Sequence, residues 1–101
     1  MRTVRLGRTG FLVSRVGFGG IPIQRLTDTE ADRVVRRSLD LGVTFLDTAN
    51  AYTTSEERIG KAVAGRREGL VLATKTLARD RATALAHLDL SLQRFGTDRI
   101  D

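Results

Sequence analysis

Three short apolar runs dominate the reading of this chain. Residues 16–18, 43–46 and 70–74 are compact and apolar, and each is followed by a longer stretch with helical spacing. Strands alternating with amphipathic helices imply parallel βαβ units. The runs are almost continuously apolar, as expected of strands covered on both faces. Two architectures are compatible with this order: an open doubly wound sheet and part of a (β/α)₈ barrel. A full barrel needs about 250 residues. The chain has 101 residues and supplies three such units, so it cannot close one by itself.

The punctuation between the runs is specific. Thr3-Val4-Arg5-Leu6 and Phe11-Leu12-Val13-Ser14 flank Gly7-Arg8-Thr9-Gly10, which predicts a hairpin. Thr27 and Glu30 have the spacing of a capping box, in which hydroxyl and carboxylate satisfy free backbone N–H groups reciprocally. The first helix therefore starts after Thr27, with Ala31, Val34, Val35, Ser38 and Leu39 or Leu41 on its apolar face and Gly42 behind its last turn. A second Thr54–Glu57 box predicts a helix through Ile59, Ala62 and Val63 that ends near Gly65. Asp80 is placed to cap a third helix, with Leu85, Leu88, Leu92 and Phe95 as an apolar stripe and Gly96 as its stop. Ile100 is positioned to open a fourth strand.

Composition narrows the class further. Hydrophobic residues make up 41% of the chain, enough for a packed core, and the absence of Cys excludes a disulfide scaffold or thiolate metal site within it. No apolar run approaches the roughly 18–20 residues of a membrane span. The charged N-terminus is followed by no apolar signal region, so a cytoplasmic protein is expected. The net charge of +5 comes from 15 Arg and two Lys against 12 acidic residues. The Arg residues do not cluster, and Arg33, Arg36, Arg37, Arg66 and Arg67 lie beside acidic neighbours. Without interleaved aromatics this is a solvated surface rather than a nucleic-acid stripe.

Active sites of parallel α/β folds lie at the carboxyl ends of the strands. The residues there are Gly19-Gly20, the segment from Asp47 to Tyr52, and Lys75. Lys75 ends an apolar strand, where a cation is costly unless paired. It is also one of only two Lys in a chain with 15 Arg, and Lys is the compact cation with the tunable proton affinity. Asp47 holds the matching place one strand earlier, and adjacent strands are about 4.8 Å apart, so the two side chains are expected to form a buried ion pair at the rim. Taken alone, such a pair fits a structural ion bridge as well as a catalytic one. Tyr52 is the only Tyr and follows Asp47 by five residues. A neighbouring ammonium favours the phenolate, which lets a phenol give up its proton more readily. Asp47, Tyr52 and Lys75 together read as a proton-donating site for carbonyl reduction.

The stretch Asp47-Thr48-Ala49-Asn50-Ala51-Tyr52 through Ser55-Glu56 resembles the D-T-A-x-x-Y-x-x-S-E signature of the aldo-keto reductases. The hairpin, Gly17-Phe18-Gly19-Gly20, Ala73-Thr74-Lys75 and Ser91-Leu92-Gln93-Arg94-Phe95-Gly96-Thr97-Asp98 agree with that family in order and spacing. The resemblance implies a (β/α)₈ TIM-barrel fold, of which residues 1–101 are the N-terminal part: a β-hairpin and about three βα units. It implies NADPH-dependent reduction of an aldehyde or ketone, with Tyr52 as general acid, Lys75 lowering its pKa, and Asp47 paired with Lys75. Gly19, Gly20 and Asp47 would lie near the nicotinamide. The family's catalytic His, at the end of the fourth strand, would fall just beyond Asp101, and His87 is expected on a helix surface. Thr53 stands where the family often has Gly. The glycines alone are weak evidence, because they lack G-x-G-x-x-G spacing. The alternative is a small non-catalytic α/β binding module, and either form would leave open sheet edges suited to self-association.

Overall fold

The computed structural model describes residues 1–101. A hairpin of β1 (Thr3–Arg5) and β2 (Leu12–Ser14) comes first, with Val4 opposite Val13. There follow β3 (Phe18–Gly19), a 3-10 turn (Pro22–Arg25), α1 (Asp28–Asp40), β4 (Phe45–Asp47), α2 (Ser55–Val63), β5 (Val71–Ala73) and α3 (Arg81–Phe95). β3, β4 and β5 form one parallel sheet in chain order. Gly19 lies opposite Asp47, and Asp47 opposite Ala73, so the ends of the three strands share one rim. The expected hairpin and three parallel βα units are therefore present. The 3-10 turn between Gly20 and Thr27 has no counterpart in the sequence reading.

The hairpin belongs to the opposite end of the sheet. The Ser14 N–H donates to Thr44 Oγ1 at 2.8 Å, and the Thr44 N–H donates to Ser14 Oγ at 2.9 Å. Thr44 immediately precedes β4, so this reciprocal pair fastens β2 to the amino end of the strand.

α1 starts as its cap predicts. The Thr27 N–H donates to Glu30 Oε2 at 2.9 Å, and the Glu30 N–H donates to Thr27 Oγ1 at 3.3 Å. Its buried face is Ala31, Val35 and Leu39. Val34 and Leu41, expected on that face, are exposed: Val34 lies at its edge, and Leu41 is the residue that caps the helix.

Two expectations about the other helices are corrected. The Thr54–Glu57 box does not form, because Thr54 has ψ near 0° rather than the extended backbone a capping hydroxyl needs. The chain reaches α2 through a tight turn instead, in which the Ser55 N–H donates to the Tyr52 carbonyl at 2.8 Å. In α3, Asp80 caps as expected, with the Thr83 N–H donating to its Oδ1 at 2.8 Å, and Gly96 ends the helix at φ 65°. The apolar stripe, however, is largely outside. Phe95 is buried, but Leu85 and Leu88 are exposed, and α3 turns Ser91 and Phe95 inward.

The core lies between the sheet and the helices, with Val35, Leu46, Ile59, Leu72 and Phe95 almost fully buried. Each such side chain contributes about 1.5–3 kcal/mol relative to exposure. α2 and α3 approach very closely at Gly60, where a Cβ would lie 2.5 Å from the Arg94 carbonyl oxygen. Beyond α3, Ile100 packs against the core, and the Asp101 N–H donates to the Leu72 carbonyl at 3.0 Å. This backbone bond to β5 lies where Ile100 was expected to open a fourth strand.

Candidate active site

The pairing of β4 with β5 continues past both strands. The Thr48 N–H donates to the Ala73 carbonyl and the Asn50 N–H to the Lys75 carbonyl, each at 2.9 Å. These bonds hold residues 47–50 and 73–75 side by side at the rim. Lys75 Nζ donates to both Asp47 oxygens at 2.8 Å. The pair forms as expected but is not buried: the side chains reach past the strand ends, and each is 49% exposed. An ion pair this open contributes about 0–1 kcal/mol to stability. Stability is therefore not what the pairing mainly supplies.

Tyr52 follows on the same rim. It sits between two turns, closed by its N–H donating to the Ala49 carbonyl at 3.0 Å and by the Ser55 bond described above. Its ring is half-buried, and Lys75 Nζ lies 5.7 Å from the ring centre. That is within the range of a cation–π contact. The structure thus brings Asp47, Tyr52 and Lys75 into one cluster, with the ammonium against the ring of the phenol.

The residue after Tyr52 is strained. Thr53 has φ 42°, a region that β-branched residues rarely occupy. Its hydroxyl donates to Gln24 Oε1 at 2.9 Å, tying the Tyr52 turn to the 3-10 turn. Gly19 and Gly20 differ from each other. At Gly19 an added Cβ would meet nothing within 4 Å, so that side of the rim is open. At Gly20 it would lie 2.5 Å from Ser55 Oγ and 2.7 Å from Thr48 Oγ1. Ser55 Oγ also donates to the Gly20 carbonyl at 2.9 Å. The missing side chain of Gly20 is what lets the start of α2 seat under the β3 loop.

Below the exposed cluster lies a buried one built on Glu56, the last residue of the signature that begins at Asp47, whose contacts with Thr74, Ser91 and Arg94 were not foreseen. The Glu56 side chain is 1% exposed. It accepts from Thr74 Oγ1 at 2.7 Å, Ser91 Oγ at 2.6 Å and Arg94 Nη1 at 3.0 Å. A signal for it was present: Glu56, Ile59 and Val63 fall on one helical face, and a charge on a buried face must find partners. His87 lies on α3, partly covered, with Nδ1 2.6 Å from Thr76 Oγ1.

The model of the aldo/keto reductase family matches residues 15–101. The chain belongs to the aldo/keto reductase family. Over its whole length it is 35% identical to aldo-keto reductase YhdN of Bacillus subtilis, covering 36% of that protein. Its structure is similar to that of the holo form of aldo-keto reductase AKR11C1 from Bacillus halodurans, with a TM-score of 0.91 and 34% identity. That match takes in all of this chain and 38% of the other. An aldo/keto reductase from Klebsiella pneumoniae, solved in complex with NADP and acetate, matches 91% of the chain with a TM-score of 0.79 and 28% identity, over 35% of its own length. The chain thus spans little more than a third of these family members. Its hairpin and three βα units are an incomplete α/β piece of the TIM-barrel fold that they imply.

Proposed function

We propose that residues 1–101 are the N-terminal part of a reductase barrel that converts aldehyde or ketone carbonyls to alcohols with a nicotinamide cofactor, NADPH by preference. The observation that carries this reading is the cluster of Asp47, Lys75 and Tyr52 on the rim where strand ends bear active sites. The family match supports it and weighs against a non-catalytic module. The NADP complex of the Klebsiella pneumoniae relative supports the choice of cofactor.

The residues fit a nicotinamide. Asp47 keeps half of its side-chain surface free to accept hydrogen bonds, and the open side of Gly19, opposite Asp47 in the sheet, leaves room for a flat ring. A reduced nicotinamide supplies a hydride for the carbonyl carbon. Tyr52 donates the hydroxyl proton to the carbonyl oxygen, which completes the alcohol. The Lys75 ammonium stabilises the phenolate left behind. Asp47 holds that ammonium in place from the other side. No helix of the chain is long and apolar enough to cross a membrane.

The test is Tyr52→Phe in the native gene product that contains these residues. Loss of general-acid catalysis lowers turnover by about 10²–10⁴-fold. Cofactor affinity is expected to stay within about twofold, since the proton donor is lost but the ring and rim remain. Near-normal turnover by the variant would remove Tyr52 as the acid.

A further inference from the structure

The buried network under the rim joins the two segments that carry Lys75 and Tyr52. Thr74, which donates to Glu56 Oε1 at 2.7 Å, immediately precedes Lys75. Arg94 Nη1 donates both to Glu56 Oε2 and to the Asn50 carbonyl, each at 3.0 Å. Asn50 lies two residues before Tyr52, and its own N–H donates to the Lys75 carbonyl at 2.9 Å. Its side-chain amide donates to Ser91 Oγ at 3.3 Å, and Ser91 in turn donates to Glu56 Oε1 at 2.6 Å. The network is closed, for no buried side-chain polar atom of the chain lacks a partner.

Stability alone is a poor reason for this arrangement. Replacing a buried ion pair with well-packed apolar residues is often neutral or stabilising. What an ionic network adds is direction: each bond fixes where a partner atom sits. Here the fixed partners are Thr74 and Asn50, one on each side of the Lys75–Tyr52 contact. We propose that Glu56 and Arg94 are positioning residues for carbonyl reduction, holding residues 50–52 and 74–75 as one rigid unit so that Lys75 faces Tyr52. This rests on the reading of Tyr52 as the proton donor.

The experiment uses the native gene product containing residues 1–101, with Thr74→Val, Arg94→Met and Arg94→Lys, and with wild type and Tyr52→Phe in the same assays. Amide hydrogen exchange is read at Asn50, Tyr52, Leu46 and Leu72, and kcat and KM are read for reduction of a simple aromatic aldehyde. Thr74→Val and Arg94→Met are expected to speed exchange at Asn50 and Tyr52 by about tenfold while Leu46 and Leu72 keep their protection. They are expected to lower kcat by about tenfold or more, since small misplacements of reacting groups are costly, and to leave KM within about twofold. Arg94→Lys retains a donor cation and is expected to recover most of both losses. Unchanged exchange at Asn50 and Tyr52, or an equal rise at all four positions, overturns the proposal. So does an unaltered kcat in the folded variants. Should Arg94→Met not fold, Thr74→Val decides, because it deletes one hydroxyl of a half-buried side chain. If wild type reduces no carbonyl, or Tyr52→Phe matches it, the reading of Tyr52 fails, and the exchange at Asn50 and Tyr52 still decides whether Glu56 and Arg94 couple the two segments.

Discussion

Lys75 is bound on one side and faces an aromatic ring on the other. Its Nζ donates to both oxygens of Asp47 at 2.8 Å, while the Tyr52 ring centre lies 5.7 Å away. Asp47 restrains the ammonium without burying it, since both side chains remain half exposed. A charge held in this way keeps its field directed at the rim, where a developing oxyanion or phenolate would form.

Lys75→Met separates this electrostatic role from a structural one. The exposed pair contributes about 0–1 kcal/mol to stability, so the midpoint of urea unfolding should scarcely move. On the proposed reading of Tyr52 as the acid, carbonyl reduction should nevertheless fall by about a hundredfold or more, because Tyr52 loses the adjacent positive charge. Steady-state kinetics beside a denaturation curve check both halves. A large loss of stability with normal turnover per folded molecule would make the pair a structural bridge.

Gly60→Ala should be destabilising although Ala favours helices. In an open helix the exchange stabilises by about 0.5–1 kcal/mol. At position 60 the new methyl would lie 2.5 Å from the Arg94 carbonyl oxygen and 2.7 Å from the Phe95 Cα, both backbone atoms of the neighbouring helix. Overpacking of this kind costs about 1–3 kcal/mol and reverses the sign. Forcing α2 from α3 also stretches the Glu56–Arg94 bond, so the variant should lose protection at Asn50 as well as global stability. Thermal unfolding with hydrogen exchange reads both.

Asp101 should give the chain an acid-sensitive fastening. Burial pushes its carboxyl up, but the Leu72 N–H at 2.9 Å and the Arg67 guanidinium at 2.7 Å together hold it below the usual carboxylate range. A folded value below the unfolded one, about 3.9, means that the carboxylate form is stabilised by folding. Its contribution is fully present above that value and is lost as pH falls through the lower, folded one. Glu30 and Asp80 are also lowered, by the N–H groups they cap, and add to the same acid-side loss. Asp101→Asn should lower Tm at pH 6, and the gap to wild type should close toward pH 3. A gap independent of pH would show that the charge of Asp101 is immaterial.

The parts of the fold legible in the sequence are those fixed by short-range pattern. The Thr27–Glu30 cap, the Gly-bounded hairpin and the pairing of Asp47 with Lys75 follow from local spacing and from the alternation of strand and helix. The outward face of α3 did not follow, because Leu85 and Leu88 look identical to core leucines until their neighbours are known. The buried partners of Glu56 were not legible either, although Glu56 closes the signature that begins at Asp47. A capping pattern is local, whereas the partners of Glu56 come from Thr74, just past β5, and from α3, 18 to 38 residues away. The ring-facing approach of Lys75 depends on the turn at residues 49–55, whose course no periodicity specifies.

The turn itself can be tested at Thr53. Thr53→Gly and Thr53→Val both lose the bond to Gln24 and differ chiefly in the backbone at φ 42°. A side chain in the left-handed region costs about 1–2 kcal/mol. Gly avoids that strain but gives up about 0.5–1 kcal/mol to the entropy of the unfolded chain. The glycine variant should therefore be the more stable of the two by about 1 kcal/mol in urea titrations, which follows from the two opposing terms. Equal stabilities would mean that the turn relaxes to a negative φ when the Gln24 bond is lost. Strain held by that bond would then be a property of the Thr53–Gln24 clasp rather than of the turn beside Tyr52.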